Sequence, residues 1–359
     1  MGWLFSVMMA FLLRSVGAEL VTVFEKDALR CFRIPTMLMT KNGTLLAFAE
    51  NRTADCGDTD GLHSLVLKRS FDKGLTWGAA ILALEAPLVA KDLSNPNPVE
   101  VTFADGTTAI LLHFDTENNP TLKSHGVDAM IWSFDEGQTW SFPRILKYPP
   151  LKNTGGLVGP SVGLQANKTI YFSTRFNGTT HLYFSEDFGK TWEASTEGIQ
   201  GVNECSIAFF DEKEETILFN CRTSDHKRAQ ILFNKDGPIG DLFYPDGLID
   251  PNCQGSIVAG KEGQYFLSND NSTSRREHMI VKMSQDQGKT WDKGIVVWPK
   301  LAGYSQLTVL NKNTDYTELG LLFENGNKST YERISFAALN YSSSILPGGG
   351  DLIIPQEEE

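Results

Sequence analysis

Long apolar runs are almost absent from this chain, and the one exception lies at its start. Residues 4–13 are apolar apart from Ser6, but crossing a bilayer takes roughly 20 such residues. Arg14 and the small-residue pattern Val16, Gly17, Ala18 follow, so the segment reads as a signal peptide cleaved before Glu19. Basic residues are also scarce: 32 Lys and Arg stand against 44 Asp and Glu, a net charge of −12, or −13 once Arg14 leaves with the leader. That sign excludes nucleic acid as a partner. It also offers no general attraction to an anionic ligand, so a site for one must be a local cationic pocket. Cysteines are few, at five, and show none of the close pairs that build zinc sites, so no metal or cofactor is expected. In an oxidising compartment some should be bridged, and the odd number leaves at least one over. Helical periodicity is missing too, with no convincing amphipathic stretch of more than a few turns.

What the chain does contain is repetition. Four octapeptides, SFDKGLTW (70–77), SFDEGQTW (133–140), SEDFGKTW (185–192) and SQDQGKTW (284–291), share the pattern S-x-D-x-G-x-T-W. Their starts lie 63, 52 and 99 residues apart, the last gap being close to two of the others, and a period near 50 residues marks a propeller. Each copy follows a β-rich run and precedes another extended segment, which places it in a hairpin turn. There Ser and Asp can bond turn amides, Gly supplies a positive φ, and Trp packs a large apolar face against the blade. At about 50 residues per four-stranded blade, about 340 residues give six or seven blades. The expectation is one all-β domain over 19–347, a leader at 1–18 and a polar tail at 348–359. Seven N-x-S/T sequons, at Asn42, Asn51, Asn167, Asn177, Asn271, Asn327 and Asn340, suit a glycosylated protein of the secretory pathway, secreted or lysosomal.

The octapeptide resembles the Asp box of sialidases, a family of six-bladed β-propellers. Boxes alone do not make an enzyme, because sortilin-type receptors carry them without glycosidase chemistry. Five further segments match animal and bacterial sialidases in order and spacing. CFRIP (31–35) resembles the F-R-I-P motif and implies that Arg33 is the first substrate arginine. GTLLAFAE follows at 43–50, and eight residues past Glu50 comes Asp58, where the family has its acid/base aspartate. Asp55 and Asp60 compete for that role within the same loop. NECSI (203–207) and FNCRT (219–223) resemble the segments carrying the family's glutamate and second arginine, here Glu204 and Arg222. FLSN (266–269) followed by Arg276 resembles the third-arginine segment, although the family usually has Pro where this chain has Asp270, and Arg275 is adjacent. GYSQL (303–307) and LLFEN (321–325) match the segments of the nucleophilic tyrosine, Tyr304, and of the glutamate that orients the first arginine, Glu324. Two weaker resemblances, SNPNP (94–98) and CQGS (253–256), fall where the family lines its pocket. If Glu204 and Arg222 face the site, Cys205 and Cys221 both point behind the blade and can bridge there. Cys31 with Cys56 is a second pair, which leaves Cys253.

The chemistry suits these residue types. Sialic acid carries a carboxylate on its anomeric carbon, and a guanidinium donates parallel hydrogen bonds to both oxygens in a geometry lysine cannot copy. A carboxylate nucleophile would meet that anion head on, and sialidases depart from the two-carboxylate pattern by using a tyrosine. Tyr304 would need a base, Glu204, while Asp58 protonates the leaving oxygen and later activates water. The resemblance thus implies a retaining exo-α-sialidase acting on sialylated glycoproteins, glycolipids or oligosaccharides. A trans-sialidase, including the intramolecular kind, and a non-enzymatic sialic-acid-binding propeller are the alternatives.

Overall fold

A computed structural model describes residues 20–341 apart from 59–60, 87, 118–126, 147–156, 177, 212, 214, 262 and 313–315. The leader, the polar tail, Asp60 and the sequon at Asn177 therefore lie outside the described residues. Among the described residues the structure is all-β, with 25 strands and no α-helix, arranged in four sheets.

Nearly every pairing joins strands that follow one another in the chain, running antiparallel. The eight-stranded sheet begins with Cys31–Met39, Leu45–Arg52 and His63–Ser70, with Ile81–Leu84 on the last of these. It continues through Asp92–Thr102, Thr108–Glu117, Asp128–Ser133 and Arg144–Ile145, joined to the first group by one parallel pair, His63 with Asp92. A six-stranded sheet centres on Thr169–Phe176 and Thr179–Ser185, and a four-stranded sheet runs from Asn203–Phe209 through Ile217–Arg222 and Ala229–Phe233 to Pro238–Phe243. The seven-stranded sheet holds Ser256–Ala259, Tyr265–Asp270, Glu277–Ser284, Ile295–Lys312, Thr317–Gly326, Arg333–Tyr341 and, last, the N-terminal Val21–Glu25. That final pairing, Val21 with Phe336 and Glu25 with Arg333, ties the first described strand to the last.

Some strands carry apolar residues at consecutive positions because both of their faces are covered, as in Leu45–Ala49. Leu45–Arg52 is buried at all but one position, as expected where sheets pack on either side. One core cluster joins Val23, Phe24, Leu322 and Phe336 of the last sheet to Met37, Leu45 and Ala47 of the first. Another joins Val99, Leu111 and Met130 to Ile170, Phe172 and Tyr183. Two further clusters lie within the eight-stranded sheet, around Phe48 and Phe114, and within the seven-stranded sheet, around Phe266 and Phe323. Each fully buried Phe or Leu contributes about 1.5–3 kcal/mol.

The octapeptides are turns with a repeated bond set. Ser70 Oγ donates to Asp72 Oδ1 at 2.8 Å and accepts from Gly74 N–H at 2.8 Å. Asp72 accepts from the backbone of Thr76 at 2.9 Å and from its hydroxyl at 2.5 Å, and Trp77 Nε1–H donates to Gly74 O at 3.1 Å. The same contacts recur at Ser133, Ser185 and Ser284. Trp192 stacks on Tyr183 of its own sheet at 4.7 Å, whereas two other box tryptophans reach further. Trp77 stands edge-on to Phe336 of the last sheet at 5.6 Å, and Trp140 reaches Phe48 at 6.0 Å, so these boxes clip neighbouring strand groups together. Gly74 is needed twice over, since its φ is +91° and a Cβ there would lie 2.1 Å from Phe336.

Candidate active site

Four strands carry a break in pairing. Register shifts fall between Arg33 and Thr36, Ser94 and Asn97, Asn203 and Ser206, and Ala302 and Ser305. Each bulge bends its strand and re-aims a side chain. Ile34 at φ 54°, Asn95 at 53° and Glu204 at 40° take up left-handed conformations within them. A β-branched residue there is strained, and Ile34 is held by donating its N–H to Glu324 Oε1 at 3.0 Å.

Glu324 is the hub of this end. Fully buried, it accepts from Arg33 Nε at 2.7 Å through Oε1 and from Tyr304 N–H at 3.0 Å through Oε2. It therefore positions the tyrosine's backbone as well as the arginine, more than the orienting task the sequence suggested. Gly303 makes room for it, because a Cβ there would lie 2.5 Å from Glu324 Oε2. Burial works against the charge of Arg33, but the neighbouring Glu324 carboxylate outweighs it and holds the guanidinium ionised.

Tyr304, 6% exposed, donates its hydroxyl to Glu204 Oε1 at 2.5 Å and accepts from Arg222 Nη1 at 3.1 Å. The same Arg222 nitrogen donates to Glu204 Oε2 at 2.6 Å, and its Nε donates to Asn252 Oδ1 at 2.7 Å. The guanidinium carbons of Arg33 and Arg276 lie 5.5 and 5.3 Å from the centre of the Tyr304 ring. Three cations thus surround one phenol inside a chain of net charge −12. Burial, and then the charge of Glu204, push the phenol well above its ordinary titration range, with Arg222 pulling the other way.

Asp58 faces this group from the loop after Leu45–Arg52. Its Oδ1 accepts from Arg52 Nη1 at 2.7 Å and lies 3.6 Å from Arg33 Nη1, while its side chain is 70% exposed. Burial of its inner side disfavours ionisation, but Arg52, then Arg33 and Arg276, outweigh that and hold the carboxyl below its usual value. Asp55 is turned to another use, accepting from Gly57 N–H at 2.6 Å within its own exposed turn. Arg275 is likewise exposed, pairing with Glu277 at 3.6 Å, whereas Arg276 points inward and donates to the Tyr331 hydroxyl at 2.9 Å. All seven side chains singled out in the sequence, Arg33, Asp58, Glu204, Arg222, Arg276, Tyr304 and Glu324, therefore meet at one end of the molecule.

The two weaker segments stand beside them. Asn95 N–H donates to Glu50 Oε1 at 2.8 Å, and Gln254 brackets the backbone of Ser305 with bonds of 2.9 and 3.0 Å. Disulfides Cys31–Cys56 and Cys205–Cys221 pin the Asp58 loop and the Glu204 strand, and Cys253 is a buried free thiol packed with Ile34 and Tyr304. Asp270, which stands where sialidases usually have Pro, is fully buried; burial and then the charge of Asp250 push its carboxyl well up.

Sequence reasoning missed Arg52, Asn252 and Tyr331. Arg52 forks onto Glu50 at 2.6 and 2.8 Å and binds the Cys56 and Gly57 carbonyls, so it builds the Asp58 loop. A signal existed, since Glu50 and Arg52 share a strand face two residues apart, but Asn51-Arg52-Thr53 reads as a sequon. Among the described residues no group of three or more His, Cys, Asp or Glu side chains converges as a metal site.

The profile described as a BNR repeat-like domain matches residues 43–335, and the chain belongs to that family. Among named relatives it is 25% identical over 342 residues to the sialidase of Micromonospora viridifaciens, covering 86% of this chain but only 52% of that protein. In structure it resembles the Hadza microbial sialidase Hz136, with a TM-score of 0.73, 22% identity, and 86% of this chain and 66% of that one covered. The intramolecular trans-sialidase of Ruminococcus gnavus shares the fold with a TM-score of 0.69 at 16% identity, over 93% of this chain and 99% of that one.

Proposed function

We propose that the protein is a retaining exo-α-sialidase that removes terminal sialic acids from glycans through a Tyr304-linked glycosyl intermediate. The observation that carries this reading is the Tyr304 hydroxyl donating to Glu204 at 2.5 Å within reach of three arginines. Arg33, Arg222 and Arg276 bind the substrate carboxylate, each ionised and able to fork onto its oxygens. A neutral phenol can approach an anomeric carbon bearing that anion, and Glu204 takes its proton as the C–O bond forms. Asp58, on the open side, donates a proton to the departing glycosidic oxygen. It then draws a proton from water as water displaces Tyr304, whose phenolate recovers its own proton from Glu204.

Fold and compartment belong to the same proposal. The fold we propose is a six-bladed propeller of about four strands per blade, a reading supported by the pairing of Val21–Glu25 with Arg333–Tyr341, which would complete the last blade. Two disulfides suit an oxidising, secretory compartment.

Transfer of the same intermediate to a sugar hydroxyl, or to a hydroxyl of the bound sialic acid itself, is the second reading, favoured by the fold shared with an intramolecular trans-sialidase. Incubation with sialyllactose isomers, followed by NMR of the products, tests both. Free sialic acid is expected; an anhydro sugar or a new sialoside selects transfer, and unchanged substrate refutes the enzyme.

A further inference from the structure

Two of the three arginines meet a single side chain that is neither acid, base nor nucleophile. The Tyr331 ring lies against the guanidinium of Arg33, with Cζ 3.9 Å from its centroid, and the Tyr331 hydroxyl accepts from Arg276 Nη1 at 2.9 Å. One rigid phenol thus spans two cations that would otherwise repel, offering its electron-rich face to one and an oxygen lone pair to the other. Arg33 has a second anchor in Glu324 at 2.7 Å, whereas Arg276 leans on this hydroxyl.

The segment carrying Tyr331 is built to hold it. Glu332 accepts the backbone N–H groups of Asn327, Lys328 and Ser329 at 2.9, 2.7 and 3.0 Å, and Tyr331 N–H donates to Ser329 Oγ at 3.3 Å. This turn projects from the end of Thr317–Gly326, two residues past Glu324. The hub that fixes Arg33 and the ring that covers it therefore come from one continuous stretch.

We infer that Tyr331 is a positioning residue that sets the spacing of Arg33 and Arg276, and so governs recognition of the substrate's anomeric carboxylate rather than bond cleavage at Tyr304. The inference rests on the sialidase reading. Tyr331→Phe removes only the hydroxyl, and Tyr331→Leu removes the ring as well. On a soluble sialoside, KM is expected to rise about fivefold for the first and about tenfold or more for the second, with kcat within about twofold, as loss of a charge-assisted bond and of a desolvated cation–π contact implies.

The deciding measurement compares inhibition by N-acetylneuraminic acid with inhibition by its methyl ester, which lacks the charge. The wild type should prefer the acid, and that preference should shrink in each variant by the same factor as KM rises, with unchanged unfolding temperatures. A structural role alone would weaken acid and ester equally, and that result overturns the inference. So does a wild-type preference retained in both variants. In either case a wild type that still cleaves sialosides leaves the sialidase reading intact. A wild type that neither cleaves them nor distinguishes acid from ester defeats both.

Discussion

Replacing Glu324 by Gln should separate the scaffold of the site from its chemistry. The substitution keeps the shape and one carbonyl acceptor but removes the charge opposite Arg33, whose side chain is 5% exposed. It also points an amide toward the N–H of either Ile34 or Tyr304, which now bond the carboxylate at 3.0 Å each. Removing one partner of a buried ion pair costs about 3–5 kcal/mol. The retained acceptor places this case near the lower end, at about 3 kcal/mol. In a chain of this size each kcal/mol moves the unfolding midpoint by about 2 °C, so a fall of about 6 °C is expected. Because Arg33 and the Tyr304 backbone lose a common anchor, turnover of a sialoside should fall at least tenfold. Glu318→Gln, on the same strand but in an exposed pair with Lys73 at 2.8 Å, is the control and should change neither quantity. Scanning calorimetry and a fluorogenic sialoside assay read both effects. A Glu324→Gln protein that melts within a degree of wild type and keeps half its activity would refute the reasoning.

Arg276→Lys keeps charge but loses the fork that reaches Tyr331 and the substrate, so activity should drop at least tenfold, while Arg275→Lys stays near wild type; the reverse order would move the third arginine by one residue. Because Asp58 must be protonated to act as an acid, kcat/KM should fall as pH rises through its titration. Arg52→Gln removes an influence that lowers that pKa, so the alkaline limb should shift to higher pH; a pH profile with an unmoved limb contradicts the role. Replacing both Cys205 and Cys221 by Ala opens a 16-residue link and should cost about 3 kcal/mol on the chain-entropy estimate, read by denaturant unfolding, and an unchanged midpoint would count against it.

Some of this was legible in the sequence because it is local. Every bond that makes an Asp box runs between residues at most four apart, so eight letters specify the turn, including the positive φ of its glycine. The site residues were legible only as an ensemble, since Arg33 and Glu324 are 291 positions apart and neither is informative alone. What stayed hidden depends on partners distant in the chain. The expected bridge between Cys205 and Cys221 forms, but not by the regular alternation assumed. Glu204 sits at φ 40° in a bulge, and no nearby residue announces the extra position. The contact of Trp77 with Phe336 crosses between sheets, and Tyr331 owes its place to a turn whose carboxylate cap follows it. A sequence pattern records propensity; it does not record which side chain waits across a gap.

The central claim is that Tyr304 becomes bonded to the sugar, and trapping that bond tests it most directly. A fluorinated sialosyl fluoride forms the glycosyl intermediate but slows its breakdown. Digestion and mass spectrometry should then find one sugar added to the peptide containing Tyr304, and NMR of an unmodified substrate should show the α-anomer as first product. The Tyr304→Phe protein should take no label while still binding sialic acid through its arginines. Label on any other residue, or a β-anomer released first, would contradict the account.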